Sequence, residues 1–118
     1  MRFKFDRNAT IARLTNAKNK AVFAVTEQAL ADSNNYCKFD QGELVESSKK
    51  ASKPEEGLMI WDSKYARRQY YLDTANTDDN PNAQKMWAHV AHSKHNDEWQ
   101  KKMQDEFKKQ AKKWQYKI

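Results

Sequence analysis

The chain has 118 residues and a mass of 13.9 kDa, the size of one domain, and nowhere holds an apolar run near the roughly 20 residues of a membrane span or the apolar segment of a secretory signal. Leu, Ile, Val and Phe number 17, a low aliphatic share, whereas nine Trp and Tyr, two Gly, two Pro and a net charge of +6 argue against disorder. These figures describe a soluble single domain, made in the cytoplasm, that leans on aromatic burial and on a partner.

Glycine occurs only at positions 42 and 57, which excludes a phosphate-cradling loop and a nucleophile elbow. The lone Cys37 can form neither an internal disulfide nor a Cys-pair metal motif, and is expected as a half-buried small side chain beside a turn. Charge is segmented: residues 1–20 carry +5, 21–48 carry −4, 49–68 carry +3, 69–83 carry −3 and 84–118 carry +5. A protein that holds nucleic acid by neutralising phosphates concentrates its Lys and Arg, so alternating blocks suit contacts between copies or neighbours at least as well.

Taken in chain order, residues 8–35 form the first helix. Asn8 or Thr10 is a plausible N-cap, and Ile11, Leu14, Ala21, Val22, Val25 and Ala29 recur at helical spacing until Asp32, Ser33, Asn34 and Asn35 end it. Residues 36–72 hold a turn and a β-hairpin. Asp40 and Glu43 resemble a capping box, with Gly42, Leu44, Val45 and Ser47 completing a short turn or helix. Residues 49–53 and 57–61 flank Pro54 and Gly57, a spacing that suits a turn between antiparallel strands. Leu58 and Ile60 would share one face and Met59 and Trp61 the other, so both faces should be covered, either by strands from residues 36–39 and 66–72 or by a neighbouring copy. The fold class expected is therefore α+β: a long N-terminal helix, a small antiparallel sheet built around the hairpin, and a C-terminal helix or broken helix pair.

Tyr65, Arg67, Arg68, Tyr70 and Tyr71 have the composition of interface centres, with internal packing as the rival reading. Neither a helix nor a strand puts all three rings on one face, so at least one should point away from the core. Residues 73–82 make a polar loop whose acids lack the spacing of a calcium loop. Asn80 and Pro81 look like an N-cap and first helical position, opening a helical region over residues 82–116. In it Ala83, Trp87, Ala91, His95, Trp99, Met103, Phe107 and Ala111 recur every fourth residue. Such a row drifts about 40° per step, and a helix of that length exceeds the diameter of a compact domain this size. The helix should bend, break near residues 91–95, or project, offering Trp99, Met103, Phe107 and Trp114 to a neighbour.

His89, His92 and His95 are spaced so that all three converge poorly on a metal, and a hydrogen-bonded histidine or a helix junction is the simpler expectation. Nothing organises a nucleophile, base and oxyanion site, so no catalytic residue, metal or cofactor is expected.

Tyr36, Asp40, Gly42, Leu44 and Ser47, then Ile60, Trp61, Tyr65, Ala66, Arg67, Gln69, Tyr70 and Tyr71, and finally Asn80, Pro81, Trp87, Ala91, His95 and Trp99 form three ordered segments. Together they resemble the small minor capsid neck proteins of long-tailed bacteriophages of Gram-positive hosts, and more distantly head-to-tail joining and tail-completion proteins. The likeness covers about residues 8–100; Lys38 and Lys64 stand where proline is common in the pattern, and Gln41 where threonine is. The resemblance implies a structural virion protein: a six-fold ring in the neck, touching neighbouring neck and tail-tube proteins, with DNA passing through the lumen without sequence-specific binding and no membrane contact. The candidate assembly residues are then Trp61, Tyr65, Arg67, Arg68, Tyr70, Tyr71, Trp99 and Phe107, with the acidic loop facing the lumen or another ring. The alternative is a DNA-binding regulator using Lys108, Lys109, Lys112 and Lys113 of the final helix.

Overall fold

The computed structural model describes residues 6–38, 42–73, 77 and 80–112. Helix α1 spans Arg7–Asn34, α2 Glu43–Ala51, α3 Ala66–Tyr71 and α4 Trp87–Ala111, with one 3-10 turn at Pro54–Glu56. Asp40, Gln41, Lys113 and Trp114, singled out above, and the acids at 78 and 79 of the polar loop lie outside the described residues. Among the described residues there is no sheet, so the expected α+β class is corrected to a helical one.

The N-cap of α1 is Asp6, upstream of the two residues favoured above; its carboxylate accepts the Ala9 N–H at 3.1 Å. At about 1.5 Å per residue, the 28 residues of α1 make a rod about 42 Å long. Its buried positions are Ala17, Ala21, Thr26, Ala29 and Ser33, whereas Ile11 and Leu14, read as part of the apolar stripe, are 50% and 43% exposed.

Helix α4 is unbroken over 25 residues. The Trp99 indole N–H donates to Asp32 Oδ2 at 2.7 Å, and the Tyr36 hydroxyl lies 3.0 Å from His95 Nε2, so as the chain advances on one side it retreats on the other. The two long helices are therefore antiparallel. The every-fourth row on α4 finds its match in Ala17, Ala21, Val25, Ala29 and Ser33, a row of the same period on α1. Rows of this period on both helices suit packing of ridges into grooves, and α4 runs on without the break expected near residues 91–95. Small side chains on α1 let Trp99 sit close: Ala29, Ala91 and Trp99 form one buried cluster, capped by Val25, Tyr36 and Met59. Ile11 and Leu14 lie toward the N-terminal end of α1, away from the Trp99 contact. The result is a rod of 68 × 25 × 18 Å with a radius of gyration of 18.9 Å, against about 13.5 Å for a compact chain of this length.

The hairpin shrinks to one rung. Lys53 and Leu58 exchange both backbone hydrogen bonds, at 2.9 and 3.0 Å, around the turn that Pro54 starts and Gly57 closes. At the next position the Ser52 hydroxyl, in place of a backbone carbonyl, accepts the Ile60 N–H at 2.8 Å. Beyond that, Lys49, Lys50 and Ala51 belong to α2, so no first strand exists to extend the ladder. Of residues 66–72, expected as another strand, Ala66–Tyr71 are helix α3. Met59 packs under Trp99, but Leu58 is 47% exposed, so only one side of the segment is covered. The expected capping box is also replaced: Gly42 is the N-cap of α2, with φ 76° and no side-chain cap bond.

Helix α4 starts six residues after Pro81. The Asn80 side chain donates to the carbonyls of Asn35 and Cys37, at 3.0 and 2.9 Å, and backbone N–H groups of Gln84 and Met86 donate to the carbonyls of Tyr36 and Tyr70, at 3.2 and 2.7 Å. These donors are committed to other elements, and Met86, at φ 54°, turns the chain into the helix.

Gly57 has φ 73°, and a Cβ placed there would lie 3.2 Å from Val22 Cγ1 on α1. Gly57→Ala should cost about 1–2 kcal/mol through the left-handed backbone alone, with the Val22 crowding added, read as a lower urea midpoint at unchanged slope.

Candidate assembly surface

The three sequence segments converge on one aromatic knot at the C-terminal end of α1. Cys37, Leu44, Ala66 and Trp87 form its buried centre, with Tyr36, Val45, Trp61, Tyr70 and Ala88 packed round it. Trp87 is the hub: its ring meets Tyr70 edge-on at 4.7 Å between centroids and Trp61 at 5.9 Å. The side chain is fully buried, and its Nε1 has no hydrogen-bond partner among the described residues. Asn34 ties the knot to α1 by accepting the Trp61 indole N–H at 3.0 Å and donating to Ser48 Oγ at 3.0 Å. Leu44 is buried, and the Ser47 hydroxyl bonds back to its carbonyl at 2.8 Å, a helix-internal role.

Helix α3 lies across the knot and divides its own side chains. Ala66 is buried and Tyr70 half-buried; the Tyr70 hydroxyl meets His89 Nδ1 and accepts the His89 backbone N–H at 3.2 Å. Burial raises the Tyr70 phenol above its ordinary pKa, against the downward pull of that N–H. Tyr65 and Tyr71 are 53% and 60% exposed, and Arg67 and Arg68 are exposed beside them. Tyr71 stands edge-on to Tyr70 at 5.2 Å, while the Lys64 ammonium sits 5.6 Å from the Tyr65 ring centre. An open cleft of about 400 Å³ runs between Trp61, Arg67, Tyr70, Tyr71 and Trp87. Fixed rings on one side of a short helix and exposed rings with guanidinium groups on the other make a surface suited to burial against protein.

The other candidates lie elsewhere. Trp99 is 8% exposed and spent on α1 within the protomer. Phe107 is half-buried on the distal part of α4, away from the knot. His95 ties α4 to the segment that follows α1 through Tyr36, and the three histidines do not act as a group: His89 meets Tyr70, and His92 faces the Trp99 ring at 6.0 Å. Asn80 ties its loop to the end of α1, and Pro81 is exposed in the turn that follows.

Asn34 and Lys38 carry structure that sequence reasoning passed over. Asn34 was read only as part of a helix-ending cluster, although an amide at that point is the natural acceptor for a neighbouring indole. Lys38, 5% exposed, donates to the Leu72 carbonyl; burial lowers its pKa, while Asp73 pulls it up. Lys85, paired with Asp73, holds that carboxyl below its usual range.

A family model described as minor capsid protein matches residues 3–106, and the chain belongs to that family of minor capsid proteins. It is thus a structural component of a bacteriophage particle. No match exists among curated proteins or among solved structures. No described helix is long and apolar enough to cross a membrane.

Two outcomes test the knot. Asn34→Ala should destabilise by about 1–3 kcal/mol in chemical denaturation, since it strands the half-buried Trp61 N–H. Burial pushes the Cys37 thiol up to about 12, so at pH 8 the native protein should resist iodoacetamide, and alkylation should follow unfolding.

Proposed function

We propose that this minor capsid protein is a subunit of the head-to-tail connector, closing as a six-fold ring in the neck of a long-tailed phage of a Gram-positive host, between the portal side and the tail tube. The observation that carries the reading is the division of α3. Tyr70 is anchored on Trp87, while Tyr65, Arg67, Arg68 and Tyr71 remain on the outside of a chain poor in other apolar material. Burying that face against an identical neighbour removes the exposed rings from water, and a contact between unlike patches closes into a ring when its rotation permits. Segmented charge supports passage of DNA through the lumen, because no single basic stripe is present to hold the phosphates.

The test is size-exclusion chromatography with light scattering on the purified chain, together with imaging of virions. Rings in solution, or density for the chain at the neck, are expected. The double variant Tyr65→Ser, Tyr71→Ser should lose assembly while keeping its helical circular dichroism and its melting temperature within a few degrees. A protein that stays monomeric at about 100 μM and is missing from purified particles defeats the proposal. Salt-sensitive retardation of DNA by the monomer, lost on reversing Lys108, Lys109, Lys112 and Lys113, would favour the regulator instead.

A further inference from the structure

A second cluster lies away from the knot, on the seam between the long helices. Asp32 of α1 and His95 and Glu98 of α4 each present one donor atom, and the three atoms lie within 4.8 Å of one another. His95 Nδ1 and Glu98 Oε2 are 3.2 Å apart, a separation that two adjacent ligands on one ion adopt. Groups outside the cluster orient the donors. The Tyr36 hydroxyl sits 3.0 Å from His95 Nε2, leaving Nδ1 toward Glu98, and Asp32 accepts N–H groups from Trp99 at 2.7 Å and Gln28 at 3.0 Å. A ring nitrogen held from its far side and a carboxylate held by hydrogen bonds are the outer supports that ligands require. Among the described residues, neither Asp32 nor Glu98 has a Lys or Arg ion-pair partner. Glu98, with 71% of its side chain exposed, leaves the cluster open to solvent on that side.

We propose that Asp32, His95 and Glu98 bind one divalent transition-metal ion, which staples α1 to α4. One imidazole with two carboxylates is a mixed nitrogen and oxygen set, suited to Zn²⁺ and its neighbours and poorly suited to Mg²⁺, which prefers oxygen and holds its water. Coordination through Nδ1 requires the tautomer with its proton on Nε2, which then donates to the Tyr36 oxygen. Glu98, whose side chain is 71% exposed, is free to close the remaining distance, and water completes the coordination shell.

The experiment is calorimetric titration of the full chain with ZnCl₂, with MgCl₂ as control, alongside imidazole ¹⁵N spectra. Expected are one Zn²⁺ per chain, a shift confined to the His95 resonances, a raised melting temperature, and at least tenfold weaker binding in Asp32→Asn and in Glu98→Gln. The first variant keeps an oxygen acceptor for Trp99, and the second changes an exposed side chain, so loss of the fold does not account for lost binding; circular dichroism verifies this. Absent binding, Mg²⁺ binding as tightly as Zn²⁺, unchanged affinity in both variants, or a response at His89 or His92 instead of His95 would each overturn the assignment.

Discussion

The rows of residues four apart that pair α1 with α4 constrain everything else. A row of that period drifts round a helix, and alone it predicts a helix that cannot keep its apolar side on one surface. It becomes stable against a partner helix, and α1 supplies that partner with Val25 and Ala29 where α4 supplies Ala91 and Trp99. Small against large keeps the axes close and lets a chain with few aliphatic side chains exclude water along a seam instead of inside a sphere. The antiparallel register then fixes where the other elements can go: the end of α1 and the start of α4 meet at one end of the rod, and α2 and α3 gather there.

That gathering explains the three sequence segments. Leu44, Trp61, Ala66, Tyr70 and Trp87 come from separate stretches of the chain yet share one cluster. Their recurrence in order and spacing reflects a packing solution more than a reaction: an indole at the centre, a phenol and a second indole edge-on to it, and a small alanine where α3 crosses. What packing leaves over is on the opposite side of α3, and there the surface is rich in rings and guanidinium groups. Core and candidate interface are thus the two sides of a single six-residue helix.

The long helices were legible because each runs more than twenty residues without Gly or Pro, and periodicity accumulates over that length. The hairpin was misread for a specific reason. Its turn is real, with Pro54 and Gly57 where a turn needs them, but a turn does not decide what its arms become. Lys49, Lys50 and Ala51 were already committed to α2, and the hydroxyl of Ser52 took over the next rung. The start of α4 was misplaced because Asn80 and Pro81 are a sound local signal that lost to distant carbonyls on Tyr36 and Tyr70. Of the aromatic segment, the sequence showed that the three tyrosines could not share a face. It did not show that Tyr70 would be the one taken inward, since that depends on Trp87, seventeen positions away and on another helix. Asn34 was invisible for a similar reason, as its value lies in an indole brought to it by the fold.

The rod has a mechanical consequence. Nearly all of the polar ties and ring contacts described are gathered near one end, and the span beyond is carried by a single seam of two helices. Any small tilt of the knot on its support is multiplied along the 68 Å length into a sideways travel of several ångströms at the opposite tip. Copies standing side by side would therefore be aligned at the base and most sensitive to misalignment at the top, where Ile11 and Leu14 face outward and can grip or slide past whatever lies beside them.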